Sequence, residues 1–263
     1  VAEHASGQKL EAKDISDKHK ASLGEQTARA EVKNVILVGD ATVKFVTGKT
    51  PEAKGRIVVA TEGGKSFIGM NFNAPDYPQE GIVFDGKEVR VAAAVNNSRS
   101  VLGNFLMTND RIVKESLLGG ALLQSWGPLN LEGSKAKVGL DGTKKIDGRE
   151  AYVLSYTMKG GSDLKVKLFI DKETFRHVRT EYSMIFSASI GRTPNESARF
   201  SETRLKVTED FGDFKTEGGL TLPMSHKINY SAIGQNGTTE IEWQFNYTEI
   251  GFNQELAPDT FGG

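Results

Sequence analysis

The stretch Asp163-Leu-Lys-Val-Lys-Leu-Phe-Ile-Asp171 decides how the chain is read. Leu164, Val166, Leu168 and Ile170 fall on one side of an extended backbone, with mostly charged residues opposite, which is the pattern of a half-buried β-strand. Just upstream, Tyr152, Leu154, Tyr156 and Met158 alternate in the same way, and Gly160-Gly161 lies between the two runs. Two alternating runs joined by Gly-Gly read as an antiparallel hairpin.

The period of two persists outward from there. Downstream come Val178, Tyr182, Met184 and Phe186; then Leu205, Val207 and Phe211; then Ile228, Tyr230 and Ala232; then Ile241, Trp243, Phe245 and Tyr247. Asn236-Gly237 marks a turn between the last two runs. Upstream, residues 35–46 read as a long strand, followed by 56–61 and 66–72, and the runs 82–84 and 89–91 flank the turn Asp85-Gly86. This amounts to about ten or eleven strands, and their short links force antiparallel neighbours, because parallel pairs need long crossovers. Glycine is abundant, 29 of 263 residues. Hairpin punctuation and sheet curvature account for that excess.

Two segments break the strand pattern. Residues 14–24, with Asp14 as N-cap and Gly24 at the end, predict a short helix. Residues 100–126 are unusually apolar, and Leu118, Leu122 and Trp126 recur at helical spacing. Gly119-Gly120 in the middle predicts a break or hinge. This greasy segment reads either as a core element that plugs a one-sided sheet, or as a lid that moves aside for an apolar ligand. Its candidate ligand-binding residues are Phe105, Leu106, Leu117, Leu118, Leu122, Leu123 and Trp126. No low-complexity run or linker divides the chain, and Pro75 and Pro78 mark a loop. The expectation is a single domain over 1–263, with 1–9 as a loose tail.

Composition narrows the chemistry. Lys plus Arg number 33 and Asp plus Glu 34, a formal charge of −1, so nothing electrostatic points to nucleic acid as a partner. The longest apolar run, residues 91–95, is far short of the roughly 20 residues of a membrane-spanning helix. There is no cysteine, which removes thiol nucleophiles, disulfides and cysteine metal sites. His4, His19, His177 and His226 are the only histidines; His177 and His226 stand beside Arg176 and Lys227, a setting that suggests a solvated sheet face, and no metal site is assigned. Thr47-Gly-Lys-Thr50 has the tail of a phosphate loop, but Val43 occupies the place of its first glycine. Ser162-Asp-Leu-Lys165 matches Ser-x-x-Lys by letters, yet it sits at a hairpin turn. Asp85-Gly86, Asp141-Gly142 and Asp147-Gly148 read as turns and not as paired catalytic carboxylates. The expectation is a non-enzyme without cofactors.

Four motifs then carry a resemblance: Lys145-Ile-Asp-Gly-Arg-Glu-Ala-Tyr-Val-Leu154, Lys167-Leu-Phe-Ile-Asp-Lys-Glu-Thr174, Phe211-Gly-Asp-Phe-Lys-Thr-Glu-Gly-Gly-Leu-Thr-Leu-Pro223 and Phe252-Asn-Gln-Glu-Leu-Ala-Pro-Asp-Thr-Phe261 follow one another in order. With Ile15-Ser-Asp-Lys-His-Lys-Ala-Ser-Leu-Gly24 before the long first strand, the chain resembles the outer-membrane lipoprotein-sorting (LolA-like) superfamily. The likeness covers 135–263 well and 15–46 in part. It implies an antiparallel sheet curled into a half-barrel, with a few short helices closing its concave face. It further implies a bacterial envelope protein, periplasmic or associated with the outer membrane after loss of a signal segment, that binds a lipid or the acyl chain of a lipoprotein. The alternative on the same fold is a sensing module that detects mislocalised lipoproteins or envelope proteins and engages an envelope partner. A continuous internal cavity above about 300 Å³ lined by aliphatic side chains favours the carrier, and a filled core with an exposed apolar patch favours the sensing module.

Overall fold

The structure is a computed structural model that describes residues 10–46, 52–77, 79–92, 98–130, 136–187, 202–234 and 237–262. The expected tail 1–9, the phosphate-loop fragment at 47–50, Pro78 and Asn236 lie outside the described residues.

The strands are β1 (Asn34–Phe45), β2 (Glu52–Glu62), β3 (Lys65–Phe72), β4 (Gln79–Phe84), β5 (Val89–Val91), β6 (Lys137–Ile146), β7 (Arg149–Thr157), β8 (Lys165–Asp171), β9 (His177–Phe186), β10 (Thr203–Glu217), β11 (Leu220–Gly234) and β12 (Gly237–Phe252). They form one antiparallel sheet in the order β5-β4-β3-β2-β1-β12-β11-β10-β9-β8-β7-β6. The sheet is curved and unclosed. It holds twelve strands where the sequence suggested ten or eleven. The residues of β6 are nearly all exposed or half-buried, so they carry little apolar alternation.

The stretch that opened the reading is β8. Leu164, Val166, Leu168 and Ile170 all enter the main core, while Phe169 turns to the opposite face and packs with Ile146, Ala151 and Val153 in a small second cluster. Gly160-Gly161 makes the expected turn between β7 and β8, both residues at positive φ (82° and 76°). Asp85 Oδ1 accepts the backbone N–H groups of Lys87 (2.8 Å) and Glu88 (2.7 Å), as a turn aspartate should. Asp141-Gly142, expected as a turn, is instead a bulge inside β6: the register against β7 shifts between Leu140 and Gly142, and Gly142 takes φ 111°. At the central seam the register of β1 on β12 shifts at Gly39, where a Cβ would lie 2.2 Å from the carbonyl oxygen of Asn246. Only glycine allows the two backbones to meet there.

Helix α1 (Ala12–Ser22) starts two residues earlier than expected. Glu11 is its N-cap, and Asp14 reaches back to accept the Glu11 N–H at 2.8 Å. A further short helix, α2 (Gln26–Glu31), precedes β1. The connection between β5 and β6 governs everything that follows. These strands are consecutive in sequence but occupy opposite edges of the sheet. The chain between them must cross from one edge to the other, and it does so over the concave face as helices α3 (Val101–Thr108) and α4 (Arg111–Lys114) and two short 3₁₀ turns, Gly120–Leu122 and Gly127–Asn130.

Candidate functional site

The crossing segment fills the concavity. Leu102, Leu106, Ile112, Leu117 and Trp126 are fully buried, and Leu118, Leu122 and Leu123 nearly so. The helical spacing of Leu118, Leu122 and Trp126 does not produce a helix. Gly119 (φ 84°) and Gly120 (φ 53°) turn the chain left-handed, and the same leucines are delivered by a turn and a 3₁₀ segment. The expected break is therefore present, and the expected helix beyond it is not.

Three carboxylates fasten this segment to the sheet. At its start, Ser100 caps α3 by accepting the Gly103 N–H at 2.9 Å, and its hydroxyl donates to Glu80 Oε1 at 2.6 Å. Glu80 is almost fully buried on β4 and also accepts the hydroxyl of Tyr77, which in turn accepts the Trp243 indole N–H at 3.1 Å. Burial pushes the Glu80 carboxyl above the ordinary carboxylate range. In the middle, Glu209 of β10 has no exposed surface; it accepts the Gly119 N–H at 2.7 Å, the Tyr182 hydroxyl at 2.7 Å and the His226 Nε2–H at 2.9 Å. Glu115 accepts the Tyr156 hydroxyl (2.9 Å) and the Lys159 N–H (3.1 Å). A carboxylate buried in apolar surroundings persists only when its lone pairs are met, and Glu80 and Glu209 are met by groups that pin the insert.

The expectation that His177 and His226 face solvent is corrected: they are 1% and 3% exposed, and His19 is 1% exposed. Consecutive strand residues point to opposite faces, so the charges of Arg176 and Lys227 say nothing about the histidines beside them. The rings form a continuous row beneath the insert. His19 meets Trp126 edge-on at 4.8 Å, Trp126 stacks on His177 at 4.4 Å, His177 lies 4.7 Å from Phe211, and Phe211 stacks on His226 at 4.7 Å. Carbonyl partners fix two tautomers: His19 Nδ1–H donates to the Phe175 carbonyl (2.8 Å), and His177 Nε2–H donates to the Arg179 carbonyl (2.9 Å). The other ring nitrogens, His19 Nε2 and His177 Nδ1, are buried without partners. Burial holds His19 down at about 4 and His177 well below its ordinary value, the latter helped by the neighbouring His19. No cluster of potential metal ligands occurs among the described residues.

Of the candidate residues read from sequence, Leu118 and Leu122 lie against Tyr247 over a residual space of about 10 Å³, Phe105 packs 6.3 Å from Tyr182, Trp126 joins the histidine row, and Leu106 and Leu117 are core. Leu122 and Leu123 also reach a much larger open cleft of about 500 Å³. Its walls are Leu23 just past the end of α1, Val32 before β1 and Val35 within it, Leu129 from the insert, and Leu220 and Leu222 of β11. The Thr221 N–H donates to the Leu23 carbonyl at 2.8 Å, which holds the α1 end against that strand. Glu80, Glu209 and His226 were missed as site residues, although the signal was present. Each occupies the buried phase of an alternating run, Glu80 with Ile82 and Phe84, Glu209 with Val207 and Phe211, His226 with Ile228.

An open, curved antiparallel sheet with a few short helices matches the LolA-like open half-barrel. Comparison with solved structures agrees. The chain is similar to an outer membrane lipoprotein-sorting protein domain from Vibrio parahaemolyticus, at 13% identity over 95% of both chains with a TM-score of 0.50. A LolA superfamily protein from Nitrosomonas europaea is 16% identical over 97% of this chain and 99% of that one, with a TM-score of 0.49. A DUF1329 family protein from Desulfovibrio piger is 11% identical over 95% of each chain, with a TM-score of 0.45. No protein-family model and no curated protein sequence matches. The likeness expected from the four motifs thus holds at the level of the fold.

Proposed function

We propose that this protein is a non-enzymatic binder of an apolar ligand, a lipid or a protein-linked acyl chain, in the bacterial cell envelope. The observation that carries the reading is the cleft of about 500 Å³ with aliphatic walls, wedged between α1, β11 and the insert. It exceeds the roughly 300 Å³ at which ligand pockets begin. Each buried CH₂ contributes about 0.8 kcal/mol, so a 14-carbon chain hides about 11 kcal/mol of apolar surface, a gain available only in a dry site. The candidate residues Leu122 and Leu123 are the part of the insert that such a chain meets first. The envelope location draws on the shared fold and on the lipoprotein-sorting description of the Vibrio domain. No helix of the described residues is long and apolar enough to cross a membrane.

The test is native mass spectrometry of the full chain from an envelope fraction, together with titration of a fluorescent 14-carbon fatty acid. Co-purified lipid and saturable binding that is lost in Val32→Trp, which fills the cleft from a half-buried position, support the carrier. A ligand-free protein that binds no fatty acid overturns it. A sensing module remains the second reading, favoured by Ile185 and Ile233, which are exposed and flank Arg204 on adjacent strands.

A further inference from the structure

The cleft is lined mostly by apolar side chains, but not entirely. Arg29 on α2 and Lys33 just after it both line the cleft, and no aspartate or glutamate does. Neither cation has a carboxylate partner within 4.0 Å among the described residues. The Arg29 Nε–H donates to the Gly24 carbonyl at 3.1 Å, which leaves its terminal guanidinium N–H groups for other partners, and the Lys33 side chain is exposed. Two unpaired cations beside an apolar cavity raise the local potential for an anion. A fatty chain needs no such thing.

A second observation is independent of charge. Gln124, on the insert, donates from Nε2 to the Val32 carbonyl at 2.8 Å. That partner only accepts, so the amide orientation is fixed and Oε1 is the atom left over. Oε1 is buried, has no hydrogen-bond partner among the described residues, and belongs to a residue lining the same cleft. A buried acceptor without a donor is rare enough to call for a ligand or water that supplies one.

We infer that the ligand is an anionic amphiphile: a single acyl chain in the cleft, a phosphate or carboxylate between Arg29 and Lys33, and an O–H or N–H close to the chain that donates to Gln124 Oε1. This rests on the cleft being the binding site, and it adds the headgroup class to that reading. The Arg29 fork suits the planar or tetrahedral oxygens of such an anion, and Lys33 adds a point charge.

The test compares 1-myristoyl-lysophosphatidate, which carries chain, hydroxyl and phosphate, with 1-monomyristoylglycerol, which lacks only the phosphate. Calorimetric titration below the micellar concentration at low salt is the readout. The expected result is about tenfold tighter binding of the phosphate lipid, a preference that shrinks as salt screens the two cations. In Lys33→Gln, whose side chain makes no bond among the described residues, the preference falls by several-fold, and in Arg29→Gln/Lys33→Gln it approaches one. Gln124→Leu weakens lysophosphatidate by several-fold and leaves its deoxy analogue, without the glycerol hydroxyl, unaffected. Equal affinity for the two lipids, with no response to the charge variants, overturns the headgroup inference while leaving the cleft intact. If neither lipid binds, the cleft reading itself fails. Competition by millimolar inorganic phosphate alone overturns the amphiphile in favour of a simple anion site.

Discussion

Mild acid should loosen this protein, and the row of buried histidines says by how much. His19 and His177 are held neutral, each with one nitrogen bonded to a carbonyl and the other buried without a partner. Their folded-state pKa values lie below the unfolded value, His19 at about 4 against 6.5 and His177 well below 6.5, in both cases chiefly through burial. Between those limits the unfolded chain binds the proton and the folded one refuses it. Stability is therefore full above pH 6.5 and falls as pH drops toward the folded values. For His19 the loss approaches 1.4 kcal/mol per pH unit, reaching about 2 kcal/mol at pH 5 and about 3 kcal/mol at pH 4. His177, lowered chiefly by burial and further by His19, adds to the loss in the same direction. Even the His19 share is a sizeable part of the roughly 5–15 kcal/mol that holds a typical domain together. Glu80 works the other way: burial raises its carboxyl, so protonation on acidification favours the folded state and offsets part of the loss. The assay is urea unfolding followed by tryptophan fluorescence, with Trp126 touching both histidines, at pH 7.5, 6.5, 5.5 and 5.0. Comparison with His19→Gln removes the Glu80 contribution, because Glu80 titrates in both proteins. The variant should lose at least the His19 share of the acid sensitivity, about 2 kcal/mol between pH 7.5 and 5. Identical pH slopes for the two proteins, or a stability that does not change between pH 7.5 and 5, would refute the buried-neutral account.

Other outcomes follow from the anchoring of the insert. Glu209→Ala leaves the Gly119 N–H, the Tyr182 hydroxyl and the His226 N–H without their shared acceptor, and should cost about 3–5 kcal/mol in denaturant unfolding; Tyr182→Phe in that background should add little, since the partner is already gone. Gly120→Ala places a Cβ 2.7 Å from His177 Nδ1 and 3.0 Å from Phe211 Cζ at φ 53°, and should destabilise by about 1–3 kcal/mol in thermal melts. Ser100→Ala removes the cap of α3 and one partner of Glu80, an expected loss of about 1–2 kcal/mol by the same measurement. Leu122→Asp, introduced into a variant verified as folded by circular dichroism, should abolish fatty-acid binding, and survival of binding would exclude the insert as part of the site.

The sheet was legible because a strand announces itself within a few residues, by alternation and by its turns. Leu164 to Ile170 needed no knowledge of the rest of the chain. Where reading failed, the determinant was non-local or the rule was misapplied. The helical spacing of Leu118, Leu122 and Trp126 was real, but two glycines with positive φ made a turn deliver the same side chains. The bulge at Gly142 differs from a hairpin turn only in what lies opposite it, which the dipeptide does not contain. The histidines were misjudged from their sequence neighbours, when in a strand the residues two away carry the information. The cleft had no signature at all, since Leu23, Val32, Leu123, Leu129 and Leu220 become neighbours only after the sheet has formed.

The strand order also dictates how the molecule can assemble. Its central seam pairs Val35 with Phe252, far apart in sequence, whereas every other ladder joins strands adjacent in sequence. Two meanders, β1–β5 and β6–β12, can each form from local hairpins, but neither closes the seam until most of the chain has emerged. The insert binds both: Glu80 belongs to the first meander and Glu209 to the second. Before the seam zips, its leucines have only half a surface to cover. The insert therefore has its full cover only once both meanders are joined, and an apolar segment exposed before that point is the kind of surface a chaperone holds.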